Sequence, residues 1–215
     1  MTSGHATPEE LERVSRLEAT LDLATSPVGE LLALGLLYLE PFHREDDAMH
    51  VFEALLAREP DHGLAKLWLA YAYLHHVMDD AALARAAEVL ESLLDGDSEV
   101  AAAARMLLTE VLEERGSPRL DERIRLLEES VEREPGWVYN RQSLAWAYRD
   151  AGRHADALDQ IDDAVRNATG IHPDASVALR AFEESITGRG GHRAAERLRG
   201  DRARVEREIE PGVGA

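Results

Sequence analysis

The sequence lacks cysteine altogether, and aromatic residues make up only 5% of it. Without cysteine the chain can form neither disulfides nor thiolate metal sites, and this fits a reducing compartment. β-Branched residues are sparse and do not alternate with polar residues over a useful length, so we expect no β-strand. Since 45% of the 215 residues are hydrophobic, the chain can still bury a sizeable core.

Long apolar runs are also missing. The longest are LLALGLLYL at 31–39 and LWLAYAYL at 67–74, and both are far too short to span a bilayer. The first residues, MTSGHATPEELERV, contain no basic segment followed by an apolar one, so we expect no signal peptide. These features predict a soluble, cytoplasmic protein.

Positive charge is scarce relative to negative charge. The chain has 42 acidic and 24 basic residues, which gives a formal net charge of −18. Such a surface repels nucleic-acid phosphates and anionic lipids. We therefore expect neither a nucleic acid nor a membrane as the partner.

Sequence signals for helices and for their ends, by contrast, are frequent. In residues 140–165, NRQSLAWAYRDAGRHADALDQIDDAV, apolar residues recur every three or four positions on both sides of Gly152. Small Ala145 and Ala157 are expected where two helices cross, and Gly152 where the first helix ends. The tripeptide REP recurs 75 residues apart, at 58–60 and 133–135, each time closing a predicted helix.

Aligning the chain on these endings gives four units with small and large residues in similar places. The four units begin with the following motifs: Leu34-Gly35-x-x-Tyr38, Leu69-Ala70-x-x-Tyr73, Leu107-Leu108-x-x-Val111 and Leu144-Ala145-x-x-Tyr148. The pattern resembles the tetratricopeptide repeat (TPR), W-x2-L-G-x2-Y, then A-x3-F, then P. The resemblance implies an all-α fold, a right-handed superhelical solenoid of antiparallel helix hairpins with N- and C-terminal capping helices. An ordinary all-α bundle is the alternative.

The predicted organisation has three parts. Residues 1–27 form a tail and a capping helix, 28–169 form four TPR-like helix pairs, and 170–215 form a degenerate fifth pair, an Arg-rich C-terminal helix and a short tail. The apolar points of the fifth pair are Leu179, Phe182, Ala194 and Leu198.

In proteins built from the repeat that this chain resembles, the first helix of each pair lines a concave groove. The groove positions are those left once the core positions are assigned. They are Leu32, Leu36 and Leu39 in the first unit, Leu64, Leu67, Tyr71 and Leu74 in the second, Ala102, Arg105, Thr109 and Leu112 in the third, and Tyr139, Gln142, Trp146 and Arg149 in the fourth.

The first helices of the first two units have no polar side, and a helix of that kind is normally covered all round. Packing within the solenoid accounts for the core positions only, so we expect something else to cover the groove positions. The cover could be the N-terminal helix at 8–22, a second copy of the protein or a partner segment. Trp146 and Tyr139, flanked by Arg105 and Arg149, are typical of an interface, where aromatics and arginine are enriched.

Catalytic and metal-binding patterns are weak. His75-His76 with Asp79-Asp80 is the densest cluster of possible ligands, but adjacent histidines on a helix point about 100° apart. No phosphate loop or local catalytic motif is present, and we expect no enzyme activity, no cofactor and no metal.

The helix over 189–207 carries seven arginines and a thin apolar stripe. It could be an amphipathic cap, or it could dock on an acidic surface of another copy or of a partner.

The sequence thus predicts a non-catalytic scaffold or adaptor that binds another protein or a peptide segment. The predicted partner-binding residues are Leu64, Leu67, Tyr71, Leu74, Arg105, Tyr139, Gln142, Trp146 and Arg149. Two alternatives remain, a self-assembling homodimer and a small-molecule sensor or enzyme with the groove as its pocket.

Overall fold

The computed structural model describes residues 6–39, 42–96, 98–116, 119–167 and 191–209. Every regular element in these ranges is helical, so the predicted all-α fold is confirmed. The helices are α1 (Pro8–Thr20), α2 (Val28–Leu39), α3 (Glu45–Arg58), α4 (Gly63–Ala72), α5 (Asp80–Glu91), α6 (Ser98–Glu114), α7 (Leu120–Arg133), α8 (Val138–Asp150), α9 (His154–Asn167) and α10 (Gly191–Ile209). None of the helices in these ranges is long and apolar enough to cross a membrane.

Consecutive helices pack in pairs, and the pairs are α2 with α3, α4 with α5, α6 with α7 and α8 with α9. The chain divides into two compact units, Met1–Leu93 and Leu94–Ala215, which hold two pairs each. The predicted division at residues 28 and 170 stays a prediction. Leu179 and Phe182 of the predicted fifth pair lie outside the described residues.

In the first unit, α1 begins with a capping box at Thr7 and Glu10. The Thr7 side chain accepts a hydrogen bond from the Glu10 amide, and the Glu10 side chain accepts one from the Thr7 amide. Helix α1 packs against α2, where the hydroxyl of Tyr38 donates to Glu18 at 3.0 Å. The N-terminal helix is therefore one cover of the first repeat, a role that solenoid ends require.

Small residues lie where paired helices approach. A Cβ built on Gly35 of α2 would lie 2.4 Å from Cε1 of Phe52 in α3, so only glycine fits there. In the last pair, Ala145, Ala157 and Ile161 are buried at the crossing of α8 and α9. Gly152 ends α8 with φ +72°, in the left-handed conformation that glycine adopts without strain.

The second pair contains an element that the sequence analysis did not predict. After α4, Tyr73–Val77 form one π-helical turn, closed by a 3.1 Å hydrogen bond from the amide of Met78 to the carbonyl of Tyr73. Met78 then adopts φ +56°. This wide turn lies between Ala70 and Ala86, which are further apart in the sequence than the corresponding Ala145 and Ala157 of the last pair.

In the second unit, buried polar side chains link three helices. The Ser130 hydroxyl of α7 donates to the carbonyl of Ala102 in α6 at 3.0 Å. The side-chain amide nitrogen of Asn140 in α8 donates to the backbone carbonyls of Ser130 and Glu134, both at 3.0 Å. These bonds satisfy carbonyls at the end of α7 and fix where α8 begins.

Candidate partner-binding site

The second repeat places groove positions on α4 and on the π turn that continues it, and the fourth repeat places the equivalent positions on α8. We call Leu64, Leu67, Tyr71 and Leu74 the α4 stripe, and Tyr139, Gln142, Trp146 and Arg149 the α8 stripe. The two sets are offset by 75 residues throughout, so each α4 residue has one counterpart on α8. Their surroundings differ completely.

The α4 stripe is covered by the folded chain itself. Leu67, Tyr71 and Leu74 are 2%, 8% and 1% exposed, and only Leu64 is half-buried. The Tyr71 ring meets the Trp68 ring edge-on, with 5.5 Å between centroids, and lies 4.4 Å from the His75 ring. Leu67, Tyr71 and Leu74 therefore need neither a second copy nor a partner segment to cover them, because the folded chain itself encloses these apolar side chains.

Arg105 of α6 is also enclosed. Its guanidinium donates to the carbonyls of Leu94 and Ala101 at 2.8 and 3.1 Å, and to the carboxylate of Glu129 at 3.1 Å. Burial alone would raise the pKa of Glu129, but its hydrogen bonds with Arg105 and Arg125 outweigh burial and lower it. Arg105 thus links α6 to α7 and to the segment before α6. It was predicted to bind a partner, but its hydrogen-bond acceptors all belong to the same chain.

The α8 stripe, in contrast, has no fully buried member: all four of its residues are half-buried, and Gln142 and Arg149 carry polar or charged groups. Its charged and polar members meet α10: the Gln142 side-chain amide donates to Asp201 at 2.9 Å, and Arg149 Nε donates to Glu208 at 2.8 Å. The guanidinium of Arg149 lies 4.9 Å from the centroid of the Trp146 ring.

A second guanidinium approaches the same indole, because Arg204 of α10 lies 5.5 Å from the Trp146 ring centroid. Cations over an indole ring are attracted by its negative face. Tyr139, at the start of the stripe, lies 6.3 Å from the Trp137 ring.

Helix α10 packs on the last helix pair through two apolar side chains and two ion pairs, Arg149–Glu208 and Arg202–Asp162. Leu198 and Val205 are 0% and 1% exposed, and Arg202 Nε donates to Asp162 of α9 at 2.8 Å. Its hydrogen bond with Arg149 lowers the pKa of Glu208. This packing agrees with the interpretation of the C-terminal helix as an amphipathic cap. Gly200 does not interrupt the helix.

The histidines after α4 contact aromatic and acidic side chains of the first unit. His76 Nδ1 lies 3.2 Å from a carboxylate oxygen of Glu45, and nowhere in the described ranges do three His, Cys, Asp or Glu side chains converge to hold an ion. Burial, with the adjacent His76, lowers the pKa of His75 to about 4, so this imidazole is neutral at pH 7.

One unusual carboxyl was missed by the sequence analysis. Burial, with the nearby charges of Glu113 and Glu114, raises the pKa of Glu110 in α6 to about 7. The sequence signal is its place in the run MLLTEVL at 106–112, where Thr109 and Glu110 are the polar residues among apolar ones.

No protein-family model matches the sequence, and no curated protein matches it. The folded chain does resemble solved structures, and the class that they define is an all-α array of TPR-like helix hairpins. The TPR resemblance is therefore supported at the level of the fold.

Three of the matched structures, all of the protein MamA, illustrate the likeness. The structure described as "MamA MSR-1 C2" is 23% identical, covers 74% of this chain and 87% of its own, and has a TM-score of 0.55. "MamA AMB-1 C2221" is 23% identical, covers 74% and 89%, and has a TM-score of 0.54. "MamA 41-end from Desulfovibrio magneticus RS-1" is 17% identical, covers 78% and 89%, and has a TM-score of 0.57. Identities this low establish a shared fold, not a shared function.

Proposed function

We propose that this protein is a non-catalytic scaffold or adaptor, and that it binds a segment of another protein on the α8 stripe. The observation that carries the proposal is the half-exposed pair of Trp146 and Arg149 on a helix of a TPR-like array. The general role of a protein-binding scaffold is suggested by analogy with the TPR-like array of helix hairpins, the repeat class that the sequence resembles.

Burial selects the α8 stripe from the nine predicted partner-binding residues. Leu67, Tyr71, Leu74 and Arg105 are buried and leave almost no surface for a partner to contact. The half-exposed residues are Leu64 on α4 and Tyr139, Gln142, Trp146 and Arg149 on α8. Four of these five share one helix face, and an aromatic beside an arginine is the composition typical of binding hot spots.

The geometry of α8 also favours specific recognition. Its beginning is fixed by the buried hydrogen bonds of Asn140, and its end by the left-handed Gly152. A rigid helix loses little conformational freedom when it binds, so more of the contact energy is retained as affinity. Arg149 can hold a carboxylate through a charge-assisted hydrogen bond, as it does with Glu208, where its Nε–H is shared between the two carboxylate oxygens at 3.1 and 2.8 Å.

The proposal is tested by photo-cross-linking in the organism that makes the protein. Benzoylphenylalanine replaces Tyr139 on the stripe or, as the matched control, Asp159 on the exposed face of α9. We expect a discrete cross-linked product with another polypeptide at position 139 and none at 159.

The additional substitution Trp146→Glu should remove that product while circular dichroism stays unchanged. Equal products at positions 139 and 159, or a product that Trp146→Glu leaves intact, would contradict the proposal. A product with twice the mass of the chain would assign the stripe to a second copy instead.

A further inference from the structure

The contact between α10 and the α8 stripe uses one face of each helix. On α10 this face contains Asp201, Arg204 and Glu208, at positions i, i+3 and i+7, which lie on the same side of a helix. On α8 the residues that they meet are Gln142, Trp146 and Arg149, at i, i+4 and i+7. Each set spans about 10 Å, two helical turns.

The order of these pairs fixes the direction of α10. Gln142 meets Asp201 and Arg149 meets Glu208, so residue numbers rise together along the contact and the two helices run parallel. The chemistry is complementary at every step: an amide with a carboxylate, an indole with a guanidinium, and a guanidinium with a carboxylate.

The contact is polar and partly solvated, unlike the buried α4 stripe. The side chains of Arg149 and Glu208 are 24% and 35% exposed, and Arg204 is exposed although it lies against the Trp146 ring. Over the part of α10 whose side chains are described, 198–209, only Leu198 and Val205 are fully buried. Ion pairs at this exposure contribute little net stability, whereas they do contribute to selecting one partner over another.

We propose that α10 is an intramolecular ligand of the α8 stripe, and that the external partner is a helix with the same acid–arginine–acid face that competes with α10 for it. This inference rests on the proposed function and adds the chemistry of the partner and its regulation. The partner helix carries carboxylates seven residues apart with an arginine three residues after the first, and it binds parallel to α8.

The test measures binding of a fluorescent synthetic peptide of residues 191–209 to the full-length protein by fluorescence anisotropy. In the wild-type chain the tethered α10 competes with the peptide. In the variant Asp201→Ala/Arg204→Ala/Glu208→Ala the chain's own α10 loses its three contacts. We expect the peptide to bind this variant at least tenfold more tightly than it binds the wild type.

The control peptides separate the proposed face from the general charge of α10. A peptide with alanine at 201, 204 and 208 should not bind the variant chain. A peptide with Arg199→Ala and Arg207→Ala, which changes two exposed residues, should bind within about threefold of the original, a difference of roughly 0.6 kcal/mol. Equal affinity of the original peptide for the wild-type and variant chains would overturn the proposal.

A charge exchange gives an independent result if the triple variant does not fold. The chain with Arg149→Glu should reject the original peptide and bind a peptide carrying Glu208→Arg, because the exchange restores an attractive pair at the same place. If this chain does not distinguish the two peptides, the Arg149–Glu208 pair does not direct binding and the proposal fails.

The two proposals fail in different experiments. The peptide measurements concern only α10 and the α8 stripe, so a negative result leaves a cross-linked partner at position 139 unaffected. Absence of a cross-linked partner in the host would instead remove the proposed function, while a displaceable α10 would still be seen with the peptide.

Discussion

The α4 and α8 stripes occupy the same positions of the repeat and have opposite environments. The α4 stripe is apolar, and three of its four residues are buried, whereas the α8 stripe is half-exposed and meets α10 through a carboxamide, an indole and a guanidinium. Burying apolar surface is favourable without any specific partner, but polar groups must each find one. The same position of the repeat is therefore buried in the core when it carries an apolar side chain, and lies at a specific polar contact when it carries a polar one.

The largest expected effect comes from testing the two stripes at equivalent positions. Leu67→Ala removes a buried side chain and should lower the free energy of unfolding by about 2–5 kcal/mol. Its counterpart Gln142→Ala removes one partly exposed hydrogen bond and should cost at most about 1 kcal/mol. Urea denaturation of both variants measures the difference, and similar losses would mean that the two stripes contribute alike.

Glu110 lies on α6, the first helix of the third repeat, between the two stripes in the sequence. It tests how much an ionisable group in this position lowers the free energy of unfolding. Because the pKa of Glu110 is raised to about 7 in the folded protein, folding favours its neutral form, and stability falls as pH rises from about 4.5 to 7. Glu110→Gln should therefore stabilise the protein by up to about 3 kcal/mol at pH 8 and have little effect at pH 4.5. Urea denaturation at both pH values measures the change. The exposed Glu132→Gln is the control, and a pH-independent effect of Glu110→Gln would refute the assignment.

Gly35→Ala tests how closely the two helices of a pair, α2 and α3, pack against each other. An alanine Cβ there would lie 2.4 Å from a ring carbon of Phe52, which is fully buried, so we expect destabilisation by about 1–3 kcal/mol. Gly29→Ala on the same helix meets nothing within 4 Å and should instead stabilise by up to about 1 kcal/mol. Thermal unfolding of the two variants should shift in opposite directions; shifts of the same sign would contradict the packing described for Phe52.

The smallest effect on stability, and the most local, is expected at the α8 stripe. Arg149→Ala removes the ion pair with Glu208, so amide hydrogen exchange across residues 201–209 should quicken while the urea midpoint stays unchanged. Arg207→Ala, at an exposed position of α10, is the matched control. Unaltered exchange in the Arg149 variant would show that α10 is held without this pair.

Acid should have the same local effect as Arg149→Ala. The pKa of Glu208 is lowered in the folded protein, so its ion pair contributes above the usual glutamate pKa and is lost as pH falls through the lowered value. Exchange of α10 corrected for intrinsic rates should therefore quicken on acidification in the wild type and much less in the Arg149 variant.

The sequence predicted the helix pairs because the signals for them are local. The Thr7–Glu10 capping box, the helix ends at the two REP tripeptides and the left-handed Gly152 each depend on a few neighbouring residues. The π turn at Tyr73–Val77 was missed because the residues that form it carry no distinctive pattern. The helical spacing also placed Ala145 and Ala157 correctly in the core.

The environment of the candidate site could not be predicted in the same way. Arg105 was predicted to bind a partner, but its carboxylate is Glu129, 24 residues away in the chain. The side chains that meet Gln142 and Arg149 lie 59 residues further along. Spacing along one helix indicates which residues share a face, and it gives no information on which distant helix packs against that face.

By itself, the sequence determined the all-α class, the helix ends at the two REP tripeptides and at Gly152, and the small residues at the helix crossings, because helix periodicity, caps and small residues act over a few residues. Only the tertiary structure decided that the α4 stripe is core and that the α8 stripe meets α10. Burial is a property of all the surfaces that surround a side chain, and those surfaces come from segments that are far apart in the sequence.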